Sequence, residues 1–225
     1  MTILHRHGFA SRFILLVMAA ALAAGAGLYA AERYFAAPPA AAHPATHASP
    51  TALSSVRLID PPRVLPEFRL TQSDGSALTN ATLRGHWTIV FLGFTHCPDV
   101  CPTTLAELSK AQHGWQSMAP ATRPRILFVT VDPERDTPSV TGQFAHFFSP
   151  DTLAASGSPA EVAAFAQALG LVFMKVPLAD GGYTMDHSAT LVVLDAEGRQ
   201  AGLIRPPLAW KAIADDMRQL AEGSR

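Results

Sequence analysis

The chain has 225 residues, 48% of them hydrophobic, with 17 Lys+Arg against 18 Asp+Glu and a formal net charge of −1. That balance provides no basic patch for nucleic acid. The length left after the N-terminal segment suits one buried domain of roughly 165 residues and excludes a second.

The only charges before Glu32 are Arg6 and Arg12, so the remainder carries 15 basic against 18 acidic residues. Between Arg12 and Glu32 lie 19 uncharged positions, Phe13 to Ala31, close to the roughly 20 residues that cross a bilayer as a helix. The segment exceeds the usual core of a signal peptide and reads as an uncleaved anchor. By the positive-inside rule its N-terminus faces the cytoplasm. The expected organisation is residues 1–12 cytoplasmic, 13–31 a transmembrane anchor, 32–57 an Ala/Pro-rich linker and 58–225 the functional domain. This describes a single-pass protein of the bacterial inner membrane with its domain in the periplasm. The tract 36–56 has almost nothing large to bury and suits a semi-extended spacer; His43 and His47 within it are more simply solvated than metal-bound.

From Pro66 strands alternate with helices, the signature of an α/β layer. Phe68 to Thr71 and Ala77 to Thr79 flank the turn Ser73-Asp74-Gly75 and predict a hairpin. Trp87 to Phe94 and Arg125 to Val131 are nearly unbroken apolar runs, expected of neighbouring strands buried on both faces. Between them Pro102 opens a helix carrying Leu105, Leu108 and Trp115, ending near Met118. Thr137-Pro138 and Ser158-Pro159 are helix starts. The first predicts a helix with Val140, Phe144 and Phe147 on its apolar face, the second one with Val162, Phe165 and Leu169. Strands are expected at Leu171 to Val176, Ala189 to Leu194 and Ala201 to Ile204, with Asp195 to Gly198 turning between the last two, and a final helix over about 207–220. A central strand-helix-strand unit followed by a helix, a hairpin and a closing helix is the order of the thioredoxin-like fold, a mixed sheet flanked by helices.

The two cysteines, Cys97 and Cys101, stand in His96-Cys97-Pro98-Asp99-Val100-Cys101-Pro102. Their three-residue interval exceeds the two residues usual in thioredoxin-type redox motifs. With Pro102 at the first helical position, both thiols meet the positive end of the helix, which lowers a thiol pKa. Thiolate and imidazole together form a plausible copper set. The nitrogen is expected from His187, just before Ala189, which the fold brings toward the helix start. His96 is the rival, but a neighbour in an extended segment points to the opposite face. A structural disulfide closing so short a loop would add little stability. In Asp132-Pro133-Glu134-Arg135-Asp136-Thr137-Pro138, Asp136 and Thr137 read as capping groups and Asp132 as a loop tie. Asp99 reads as a turn residue. Met118, Met174 and Met185 do not cluster, and Met174 reads as core filler.

Gly93-Phe94-Thr95 before Cys97-Pro98-Asp99-Val100-Cys101-Pro102, then Val131 to Pro138, then Asp186-His187-Ser188, resemble the Sco/SenC family, anchored copper chaperones of cytochrome c oxidase assembly. The resemblance spans roughly 66–220. It implies a thioredoxin-like domain binding one copper, Cu(I) or Cu(II), through Cys97, Cys101 and His187. It further implies delivery of that copper, received from an upstream periplasmic donor, to the CuA site of oxidase subunit II. The alternative is a thiol-disulfide oxidoreductase that reduces the CuA-site cysteines with Cys97 and Cys101 as its redox pair. Against it, Asp186-His187-Ser188-Ala189 has no proline where thioredoxin-like reductases place a cis-proline. Two stretches depart from the family pattern, 153–157 and 171–173, neither at the ligands.

Overall fold

A computed structural model describes residues 7–35, 52–179 and 181–223. The chain divides into two units, 1–50 and 51–225. In the first, helix α1 runs His7–Phe35. Among the described residues no helix is long and apolar enough to cross a membrane, so the expected anchor rests on the sequence of 13–31. His43 and His47 lie outside the described residues.

The second unit is built on an eight-stranded mixed sheet in the order β1-β10-β9-β4-β5-β6-β2-β3. Its centre is β4 (Thr88–Gly93), parallel to β5 (Arg125–Thr130), with helix α2 (Val100–Gly114) crossing between them. All six residues of β4 are buried, the reason the sequence there is an unbroken apolar run. Helix α2 is fixed at its far end by Trp115, wholly buried, whose indole N–H donates to the Ala214 carbonyl at 3.0 Å. Ala214 lies on α5 (Trp210–Gly223), which packs along α2.

On one side of the centre β9 (Leu191–Leu194), β10 (Gln200–Ile204) and β1 (Val56–Arg63) continue antiparallel. On the other, β6 (Leu153–Ser156) lies parallel to β5, and the hairpin β2 (Arg69–Gln72) with β3 (Ala77–Thr79) closes the edge. The alanine-rich β6 gave no strand signal, because its propensity is low and only the neighbours create its environment. Likewise the start of β1, Val56 and Arg57, and the residues before it fall in the expected linker. The backbone amides of Ser54, Ser55 and Val56 all donate to the Asp216 carboxylate of α5, at 2.7–3.1 Å, so folded structure begins ahead of position 58.

Helix α3 (Pro138–Phe148) starts as expected, with the Thr137 side chain accepting from the Val140 amide, and α4 (Pro159–Ala168) carries a full capping box between Ser158 and Glu161. The buried face of α3 is only in part the expected one: Phe144 packs against the core, its ring 5.7 Å from that of Phe128. Thr141, Gly142 and Ala145 face inward, while Phe147 is 83% exposed and Val140 also faces solvent. The small residues win because the helix backbone comes close to the β2–β3 turn: a Cβ at Gly142 would lie 2.3 Å from Ser73 Cβ.

Strands β7 (Phe173–Pro177) and β8 (Tyr183–His187) form a separate two-stranded antiparallel ribbon. Phe173 pairs with His187 and Met174 with Asp186. The two-residue alternation of a strand sends Met174 outward, 62% exposed. Met174 is therefore surface, not core filler.

Candidate metal centre

Cys97 lies in the loop after β4, and Cys101 is the second residue of α2, whose N-cap is Asp99. Pro102 thus stands one turn in, where its missing N–H still costs nothing. The Cys101 amide donates to Cys97 Sγ at 3.3 Å, a use of an otherwise orphan helix N–H that fixes the sulfur's position. Both cysteines are free thiols, Cys97 partly exposed and Cys101 wholly buried. Burial pushes the Cys101 thiol well above its ordinary value, reinforced by a hydrogen bond with Cys97. The helix-end effect expected to lower it is overridden, since removing a charge from water outweighs a partial dipole.

Gly93, the last residue of β4, makes room for this sulfur. A Cβ there would sit 2.9 Å from Cys101 Sγ and 2.8 Å from the Phe128 ring. Close approach, not backbone conformation, requires the glycine, a role sequence alone gave no means to see.

His187 ends β8 with Nε2 3.5 Å from Cys101 Sγ. Its Nδ1 lies 3.1 Å from the Ser188 carbonyl, which fixes that nitrogen as the N–H donor and leaves the Nε2 lone pair facing the sulfurs. Edges of the Phe91 and Phe94 rings pack around the imidazole at 6.1 Å between centroids. Burial lowers the His187 pKa from its ordinary 6.5, against smaller raising effects of the Ser188 carbonyl and Asp186, so the neutral, ligating form is favoured. Among the described residues the three ligand atoms of Cys97, Cys101 and His187 lie within 4.8 Å of one another. Bonds of about 2.0–2.3 Å to a central ion place three donors roughly 3.5–4 Å apart, so this donor set fits a single metal ion.

The other candidates take structural places. His96 turns toward Asp136 at 3.7 Å with its side chain 54% exposed. Asp99 accepts from Thr103, its carbonyl from the amide at 3.1 Å and its carboxylate from the hydroxyl at 3.5 Å, the place of a helix N-cap. Asp136 is not a helix cap: fully buried, it accepts from the Thr95 amide at 2.8 Å, the Thr95 hydroxyl at 2.6 Å and the Thr130 hydroxyl at 2.7 Å. It thereby holds the cysteine loop to the end of β5. Asp132 ties its loop as expected, bonded by Arg135 Nε, and also accepts from the Tyr183 hydroxyl at 3.0 Å. Thr95 and Tyr183 went unnoticed in the sequence because their partners are distant in the chain.

Fold and site together define a thioredoxin-like domain with a two-sulfur, one-nitrogen donor cluster at the start of its first domain helix. The chain belongs to the SCO1/SenC family, whose model matches residues 57–222. The copper-bound structure of ScoI from Bradyrhizobium japonicum is 36% identical, with a TM-score of 0.64 over 70% of this chain and 99% of that one. Copper-bound yeast Sco1 is 26% identical, TM-score 0.65, over 73% and 91%. The mitochondrial SCO1 homolog 1 of Arabidopsis thaliana is 34% identical over 135 residues, 58% of this chain but 39% of that protein's own length.

Proposed function

We propose that this chain is a membrane-anchored copper metallochaperone of cytochrome c oxidase assembly, holding one copper through Cys97, Cys101 and His187 and delivering it to the CuA site of subunit II. The observation that carries this is the meeting of the three ligand atoms within 4.8 Å. Two thiolates suit Cu(I) and the added imidazole suits Cu(II) as well; copper-bound relatives with the same fold support the choice of metal. A three-donor site leaves one side for an incoming thiolate, so copper passes by ligand exchange without becoming free. Beside the cysteines a groove between Val100, Thr104, Ala189, Pro206 and Leu208 leaves space for the partner's approach. The proposed setting is the bacterial inner membrane, with 13–31 spanning, the spacer giving reach, and a periplasmic donor supplying the metal.

Copper analysis of the reduced full chain, together with absorption from sulfur-to-copper charge transfer, tests this. One tightly held copper with that band is the expected result, and a chain that retains none after gel filtration refutes it.

A second reading, reduction of the CuA-site cysteines, is favoured by one arrangement: the Cys97 sulfur is partly exposed and oriented by the Cys101 amide at 3.3 Å, with Cys101 four residues on to resolve a mixed disulfide. His187→Ala separates the two, since it preserves dithiol exchange while weakening Cu(II).

A further inference from the structure

His187 reaches the cysteines from a ribbon that pairs with no strand of the main sheet, so its position depends on side chains. The ring itself rests on Phe91 and Phe94. The second fastening is at the start of β8, on Tyr183, four residues away and about 13 Å along the strand. There the hydroxyl donates to Asp132 Oδ1 at 3.0 Å, and the Tyr183 carbonyl accepts from Arg135 Nη1 at 3.2 Å. The Arg135 guanidinium lies 3.9 Å from the centre of the Tyr183 ring and the Lys175 ammonium 4.1 Å. Lys175, on the paired strand β7, is bridged to Glu134 at 2.6 Å. Both strands of the ribbon are thus fastened to one short segment, 132–135.

That segment ends in Asp136, which bonds the amide and hydroxyl of Thr95 in the cysteine loop. A single loop after β5 therefore registers the sulfur donors at one end and the nitrogen donor at the other. Asp132 is 1% exposed and Asp136 0%, and buried carboxylates that lose a donor are costly, so the contacts persist as a unit.

We infer that Tyr183, clamped by Asp132 and Arg135, is a positioning residue that presents His187 Nε2 to the two sulfurs and sets how readily the imidazole leaves the metal. The inference rests on the copper site proposed above. Its partner in the test is the apo protein, whose ribbon can be followed without any metal.

In the full chain, Tyr183→Phe removes the hydroxyl and keeps the ring. Amide hydrogen exchange of 173–177 and 183–187 in the apo protein should speed up while that of β4 and β5 stays unchanged. Cu(II) affinity should drop about tenfold, the low end of losses on removing an outer-shell partner. The charge-transfer band should move toward that of His187→Ala, with Cu(I) affinity nearly kept. Because Tyr183 acts through His187, Tyr183→Phe combined with His187→Ala should bind Cu(II) no more weakly than His187→Ala alone. Arg135→Lys keeps the charge but loses the planar stacking, and should shift the same readouts in the same direction. Parent-like ribbon exchange together with parent-like Cu(II) binding in Tyr183→Phe overturns the inference, as does full additivity in the double variant. A parent that holds no copper overturns the proposed function instead, with ribbon exchange still deciding the clamp.

Discussion

The sulfur half and the nitrogen half of the site are held by different kinds of force. Cys97 and Cys101 sit where the fully buried strand β4 turns into α2, anchored by the largest apolar cluster in the domain. His187 sits on a ribbon that is mostly half-buried or exposed, seated on the core through Met185 and Phe173 and joined to the body by aromatic edges, a cation-aromatic stack and hydrogen bonds to 132–135. A core that excludes water gives rigid sulfurs. A ribbon outside the main sheet, held by one core side chain, ring edges and polar contacts, gives a nitrogen that can leave without unfolding the domain, which is the arrangement a carrier needs in order to bind firmly and still release.

The largest expected effect breaks the rigid half. Cys97→Ser or Cys101→Ser abolishes Cu(I) binding, because a hydroxyl is a hard donor that does not replace a thiolate; copper analysis after gel filtration measures it, and retention of stoichiometric Cu(I) contradicts the assignment. His187→Ala breaks the nitrogen half, and should weaken Cu(II) by about a hundredfold, the upper range for loss of a ligand's support, with a far smaller effect on Cu(I). Competition against a chelator in each oxidation state reads the difference, and equal losses would erase the distinction between the halves. Gly93→Ala strikes the sulfur side without replacing a ligand: its Cβ meets Cys101 Sγ and the Phe128 ring below 3.0 Å. Overpacking of this kind costs about 1–3 kcal/mol, and here it should also lower Cu(I) affinity.

Asp216→Asn sharpens the comparison by leaving both halves alone. Burial raises the Asp216 pKa, but the amides of Ser55, Val56 and Ser54 outweigh it and hold the carboxyl below its ordinary 3.8. The folded state therefore binds its proton later than the unfolded one, and the stabilisation is complete above 3.8 and is lost as pH falls through the lower folded value. The variant should lose about 1–3 kcal/mol of stability in denaturant unfolding with copper affinity unchanged.

The smallest expected effect concerns acid. Because burial lowers the His187 pKa below 6.5, protons begin to compete for Nε2 only below that value. Protonation of the unfolded state ahead of the folded one lowers apo stability as pH drops through 6.5 and has no effect above it. The ratio of Cu(II) affinities of the parent and His187→Ala, which cancels the thiol protons, should stay flat from neutral to 6.5 and fall below it. A ratio already falling above 6.5 contradicts a buried neutral imidazole.

Much of the fold was legible because its centre is coded locally. The apolar runs of β4 and β5, the Thr-Pro and Ser-Pro helix starts and the glycine turns each act over a few residues. The weak points were β6, too rich in alanine to announce itself, and the face of α3, where close approach to Ser73 overrode part of the aromatic stripe. In the site, the ligands could be named from residue type, spacing and family resemblance. Their support could not. Gly93 and Thr95 entered only as neighbours within the family motif and Tyr183 not at all, and each acts on a partner brought near only by folding.

The sequence by itself determined the donor types, the three-residue interval that puts both sulfurs at a helix start, and the order of the central elements β4, α2, β5, α3 and α4, because these follow from short-range sterics and hydrophobic periodicity. Only the tertiary structure decided that an imidazole 86 positions beyond Cys101 faces its sulfur at 3.5 Å. It also decided that the Cys101 thiol is harder to deprotonate, not easier, and that the 132–136 loop fastens both halves. Burial and through-space contact set those outcomes, and neither is a property of any local stretch of chain.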